Sequence, residues 1–130
     1  MNNHHELISK ILSGHSVSSL FNINVINYSA GKIVLGLSAR TLLLNSEGSF
    51  GCIMDCVARI AGYEFVGDSF VSEYELNSYV PTKAENFVAR AQVDVATSQH
   101  ATYTCDIFSV NNEVNTPLVQ SHGTLIKINS

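Results

Sequence analysis

Asp55 has the most direct claim to chemistry in this sequence. A carboxylate can take a proton from water as a general base, or attack an electrophilic carbon itself as a nucleophile. Arg59 follows at i, i+4, so on a helix the same acid is equally one half of an ion pair worth about 0.2–0.5 kcal/mol when exposed. Both readings stay open. Gly48, Gly51 and Cys52 lie just upstream, where a helix would begin. The first turn of a helix leaves N–H groups unpaired, its dipole favours developing negative charge, and glycine lets a ligand approach the backbone. Cys52 and Cys56 have no histidine near them in sequence, so they read as small core or interface residues rather than nucleophiles. His122, beside Gly123, is either a satisfied strand histidine or a base that titrates near neutrality. Glu73, Glu75 and Asn77 share one strand face with Ser72 on the other, a pattern that a solvated face explains as well as catalysis does. Cys52-x-x-x-Cys56 has no second pair, and the histidines at 4, 5, 15, 100 and 122 are scattered, so no metal is expected.

These residues need a scaffold, and 130 residues supply one domain, 1–130. Seven Lys and Arg against eleven Asp and Glu give a net charge of −4, with charged residues only 14% of the chain. Phosphate binding needs clustered cations, so nucleic acid is not an expected partner. The apolar share, 45%, is ample for a core, and so low a charge suggests that part of the surface is covered by another subunit. No apolar run reaches the roughly 18–20 residues of a membrane span. His4, His5 and Glu6 stand where a signal peptide would be apolar, and the odd count of three cysteines fits reduced thiols. A cytoplasmic protein is expected.

Leu7, Ile8, Ile11 and Leu12 recur at helical spacing and stop at Gly14, which predicts a short helix within 1–14. From Phe21 the period is two, with a turn at Ser29-Ala30-Gly31 and a second strand through Ala39. Ser46-Glu47-Gly48-Ser49 reads as a turn leading into the central helix region, 46–66, where Phe50, Ile53, Met54, Val57, Ile60, Ala61 and Phe65 repeat helically. Its second face carries Gly51, Cys52, Asp55, Arg59 and Gly62, which no sheet obviously covers, so a partner subunit is expected there. Gly62 implies close packing or a frayed last turn. Ser69–Val80, Glu85–Ala96, His100–Val110 and Leu118–Ile128 read as strands, with Phe87, Ala89, Ala91, Val93 and Val95 on one face of the second. The expected class is α+β, an antiparallel β-sheet wrapped around one long central helix.

From Leu20 to Ile128 the order of motifs resembles the hotdog-fold acyl-CoA thioesterases of the phenylacetate-degradation, PaaI-like type. The resemblance rests on Asn45 and Gly48 in the loop, Phe50-Gly51-Cys52 at the helix start, Ala61-Gly62-Tyr63 at its end, Asn77-Ser78-Tyr79-Val80-Pro81, and Gly123-Thr124. Two departures stand out. Phe50-Gly51-Cys52 replaces the His-Gly-Gly of such enzymes, and a gapless alignment puts Arg59 where their catalytic acid falls. Asp55 lies one turn earlier, about 6 Å along the axis.

The resemblance implies a hotdog fold and hydrolysis of an acyl-CoA or acyl-carrier thioester without cofactor, the oxyanion held by backbone N–H groups at the helix start. On that reading Asp55, Asn45 and Gly51 do the chemistry, with Asn45 near the carbonyl or simply a turn residue. Gly48, Phe50, Cys52, Arg59 and Asn77 then line the substrate. It also implies a homodimer or homotetramer with sites between subunits. The alternative is a non-catalytic acyl-CoA or acyl-group binding hotdog protein, in which Arg59 replaces the acid and contacts anionic groups. A dehydratase of the same fold is disfavoured, because the His-plus-acid pattern of such enzymes has no place here.

Overall fold

The structure, a computed structural model, describes residues 4–13, 21–39, 47–78, 86–111 and 114–128. In chain order these form α1 (His4–Ser13), β1 (Phe21–Ser29), β2 (Lys32–Ala39), α2 (Glu47–Val66), β3 (Ser69–Ser78), β4 (Asn86–Ala96), β5 (His100–Asn111) and β6 (Val114–Lys127). The six strands make one antiparallel sheet in the order β1-β2-β4-β5-β6-β3. The long helix lies on one face of it, the wrapped-helix arrangement of the hotdog fold.

Two turns fix this arrangement locally. Gly31 has φ 77° in the link between β1 and β2, a conformation that costs an L side chain but not glycine. Gly67, at φ 65°, ends α2 and donates its N–H to Tyr63 O at 2.8 Å, closing the helix with a left-handed cap.

The core forms where the helical and strand periods meet. Ile53, Val57, Ile60 and Ala61 of α2 are buried with Ile33, Leu35, Phe87, Ala89, Cys105, Ile107 and Leu125 of the sheet. Gly62 lies on this sheet-facing side and not on the open face expected for it: a Cβ there would sit 2.5 Å from Leu125 Cδ1. The close-packing reading of Gly62 therefore holds. α1 covers another flank of α2 with buried Ile8, Ile11 and Leu12. What stays half-open on α2 is the i, i+4 stripe Gly51, Asp55, Arg59 and Tyr63, with Cys52 beside it.

Several boundaries differ from the sequence reading, each for a physical reason. Glu47, Gly48 and Ser49 are the first turn of α2 and not a separate turn. β6 begins at Val114 and not Leu118, because Pro117 is accommodated at an irregularity: Ile107 pairs with Val119 and Phe108 with Pro117, leaving Leu118 as the extra residue. In β4 the register shifts between Val93 and Val95, so Val95 turns outward and is 67% exposed instead of continuing the buried face. Tyr79 to Glu85 lie outside the described residues.

The outer face of the sheet is polar and cross-linked. Arg90 donates to both carboxylate oxygens of Asp106, at 2.7 and 3.0 Å, and stacks over Phe108. Thr104 donates to Asp94 at 2.7 Å, and His122 pairs with Glu75 at 3.2 Å.

Candidate functional site

A pocket of about 340 Å³ opens between the N-terminal half of α2 and the β3 side of the sheet. Gly51, Cys52, Met54 and Asp55 form its helix wall. Val71, Tyr74 and Leu76 of β3, Tyr103 of β5 and Ser121 of β6 form the other. A bulge at Ser72 sets which β3 residues face it. The register shifts between Val71 and Glu73, so Tyr74 and Leu76 follow Val71 inward while Glu73, Glu75 and Asn77 point outward.

Among the described residues Asp55 is the acid of this pocket. Its carboxylate lies 3.5 Å from Arg59, with both side chains about a quarter to a third exposed. Arg59 sits one turn further along α2, behind Asp55, and does not line the pocket. The cation therefore meets any ligand through the acid.

The far wall depends on one missing side chain. Tyr103 pairs with Gly123, which pairs with Tyr74, so the three lie in one row across β5, β6 and β3. A Cβ on Gly123 would lie 2.8 Å from the Tyr103 hydroxyl, so the phenol occupies the space that a side chain on β6 would take. Burial holds this phenol well above its ordinary range, with Cys105 and the Asp55 charge adding to it, so it stays protonated. The neighbouring Ser121 side chain partly opposes this shift.

The structure thus brings Gly51, Cys52 and Asp55 together in one cavity. Gly48 and Phe50 belong to the first turn of α2, ahead of the pocket wall, and Asn45 lies outside the described residues. With the helix starting at Glu47, the Gly48 N–H has no helical acceptor, whereas those of Gly51 and Cys52 fall in the second turn with carbonyls four residues back. Asn77 is on the outer face opposite Gln120, and His122 is there too, bound to Glu75. Tyr74, Tyr103 and Ser121 escaped the sequence reading. Tyr74 alternates visibly with the acids of β3, but the Tyr103–Gly123 pairing exists only once the register is known.

The three cysteines are free, and two are sealed in the core. Burial pushes Cys56 up from 9.0 to about 12, with Asp55 adding to the shift. Burial does the same to Cys105, partly opposed by Ser121. Above the unfolded value the unfolded chain loses these protons while the folded chain keeps them, so stability falls as pH rises, by about 1.4 kcal/mol per pH unit for each thiol. The urea midpoint should hold steady below pH 9 and drop steeply from 9 toward 12. A midpoint unchanged across that window would mean that neither thiol is sealed.

No protein-family model matches the sequence, and no curated protein does. Solved structures do match its fold. A thioesterase family protein from Silicibacter pomeroyi superposes with a TM-score of 0.80 at 14% identity, over 95% of this chain and 96% of that one. The PaaI protein of the E. coli phenylacetic acid degradation operon gives 0.80 at 16% identity, over 98% and 95%. A hypothetical thioesterase from Streptococcus pneumoniae, solved with coenzyme A, gives 0.72 at 13% identity, over 92% and 94%. Likeness at such identities establishes the fold, and the chain has the hotdog fold of these thioesterase-family proteins.

Proposed function

We propose that this protein is an acyl-CoA thioesterase that uses Asp55 as its acid. The observation that carries the reading is the placement of that carboxylate, in a cavity between the start of the central helix and the β3 side of the sheet. The Streptococcus pneumoniae neighbour solved with coenzyme A supports a CoA ester as the form in which the acyl group arrives. An acyl-carrier thioester presents the same bond.

The chemistry needs no cofactor. Asp55 takes a proton from water as the water oxygen bonds to the acyl carbon. The carbonyl oxygen becomes an oxyanion, which the Gly48 N–H and the positive end of α2 stabilise. Collapse breaks the carbon–sulfur bond and expels the thiolate, which receives the proton from Asp55. Arg59 holds Asp55 in place, Cys52 narrows the entrance, and Asn77 belongs to the outer face and not to this step.

Assembly follows from the same side of the fold. β3 is an edge strand of ten residues, with Phe70 and Tyr74 47% and 63% exposed. Among the described residues no strand pairs with its outer edge, and an edge of that length invites one. We take its occupant to be β3 of a second copy, giving a homodimer with a continuous sheet, to which a homotetramer adds a further interface. Three free cysteines suit the reducing cytoplasm, and no described helix is long and apolar enough to cross a membrane.

The test is thiol release from short, medium, long and aromatic acyl-CoAs by the full chain. Turnover of any class supports the enzyme, and tight CoA-ester binding without turnover replaces it with the acyl-binding protein. Gly51 sharpens the test, since a Cβ there would meet nothing within 4 Å. Gly51→Ala should raise helix stability by about 1 kcal/mol, read as a higher Tm. Gly51→Leu should fill the cavity and depress kcat/KM most for the bulkiest acyl group accepted. Equal loss for every ester would place the acyl chain elsewhere.

A further inference from the structure

The floor of the pocket carries two hydroxyl groups in a largely apolar lining. Tyr103 and Ser121 are each 3% exposed, and both line the cavity beside Met54, Val71 and Leu76. Each hydroxyl can donate one hydrogen bond to an oxygen brought by a ligand. The phenol keeps its proton across the physiological range. A buried donor without an acceptor costs free energy, which water offsets in the empty site and a ligand oxygen offsets in the filled one.

We propose that Tyr103 and Ser121 form a specificity site that selects compact acyl groups carrying an oxygen acceptor, a hydroxyl, keto or ether, away from the thioester. The inference rests on the thioesterase reading and deepens it. About 340 Å³ holds a short chain or a single ring, and the rest of the lining is apolar enough to seat its carbon atoms. A plain alkyl group of equal size enters the same space but offers these hydroxyls no acceptor. Sites built to hydrogen-bond a substrate oxygen discriminate strongly against analogues that lack it, whereas apolar fit alone discriminates weakly. Gly123 makes the arrangement possible, because only a missing side chain on β6 lets the Tyr103 hydroxyl reach across the strand.

The test compares ω-hydroxyhexanoyl-CoA with heptanoyl-CoA, which differ by a hydroxyl against a methyl, and β-hydroxybutyryl-CoA with its methyl counterpart. The wild-type chain should favour the oxygenated member of at least one pair by about 10-fold or more in kcat/KM. In the double variant Tyr103→Phe with Ser121→Ala the ratio should fall to about one while the alkyl ester is still turned over. Tyr103→Phe alone, which keeps the ring in place, should lower the ratio several-fold and serves if the double variant does not fold. No preference in the wild type, or a preference that survives removal of both hydroxyls, overturns the proposal. If no ester is hydrolysed, the thioesterase reading fails separately. Dissociation constants for the matching non-hydrolysable thioethers then decide the floor, by the same ratio and the same variants.

Discussion

Asp55→Asn should lower kcat for acyl-CoA hydrolysis by about 10²–10⁴-fold, the usual contribution of a positioned general base, and leave the fold standing. The substitution keeps the shape of the side chain and removes its basicity. Its structural cost is small, because the Asp55 side chain is 32% exposed and its pair with Arg59 stretches to 3.5 Å. A partly exposed pair of that geometry contributes about 1 kcal/mol or less after solvent screening. KM should move little, since the acid acts on water and not on the bulk of the ester. Thiol release at saturating substrate, run beside a thermal melt, separates the two effects. Arg59→Gln is the control: it leaves the carboxylate in the pocket and should reduce turnover far less than Asp55→Asn. A variant with wild-type kcat at position 55 would remove Asp55 from the reaction and leave the hydrolysis to another group.

The part of this site that lies on one helix was legible in the sequence, because helical geometry fixes which residues share a stripe without knowledge of the rest of the fold. Gly51, Asp55 and Arg59 follow at i, i+4, and the buried side, Ile53, Val57, Ile60 and Ala61, was marked by period alone. The sheet was legible as a set of strands and misread where the period breaks. A bulge shifts the pleat by one residue, so beyond it every side chain changes face. Alternation alone puts Val95 on the face of Val93, yet it lies outward for that reason, and the same device at Ser72 sets Tyr74 into the pocket. The apolar alternation of β4 runs on through Val93 to Val95 without a glycine or proline to mark the bulge, and β3 carries no such mark at Ser72 either.

The far wall was illegible for a stronger reason. Tyr103, Gly123 and Tyr74 come from three strands, and their row exists only in the register of β5, β6 and β3 together. Gly62 shows the same limit on the helix: its place against Leu125 depends on how α2 is rotated over the sheet. Period tells which residues share a face, and pairing tells which faces meet.

Gly123→Val should be the most damaging single change to stability among the residues around the pocket. A Cβ at 123 would stand 2.5 Å from the backbone oxygen of Glu73, 2.8 Å from the Tyr103 hydroxyl and 2.9 Å from Tyr74 Cβ. At Gly62 the obstructing atom is the end of one leucine side chain, which can rotate. At Gly123 it is backbone held in a strand pair, so relief requires β3 to part from β6 or Tyr103 to leave the row. Overpacking of this kind costs about 1–3 kcal/mol, and expelling the phenol from its buried place adds the loss of its packing. A fall in Tm of roughly 10 °C is expected, with a smaller fall for Gly123→Ala, whose single methyl still meets the Glu73 carbonyl. Tyr103→Phe combined with Gly123→Ala decides between the two routes of relief. If the phenol is what yields, removing its hydroxyl restores much of the loss. If the strands part, the loss persists and β3, the proposed dimer edge, is displaced with it, so the variant should also sediment as a smaller species. A Tm within a degree or two of the wild type for Gly123→Val would mean that β3 and β6 do not pair as described, and the far wall of the pocket would have to be redrawn.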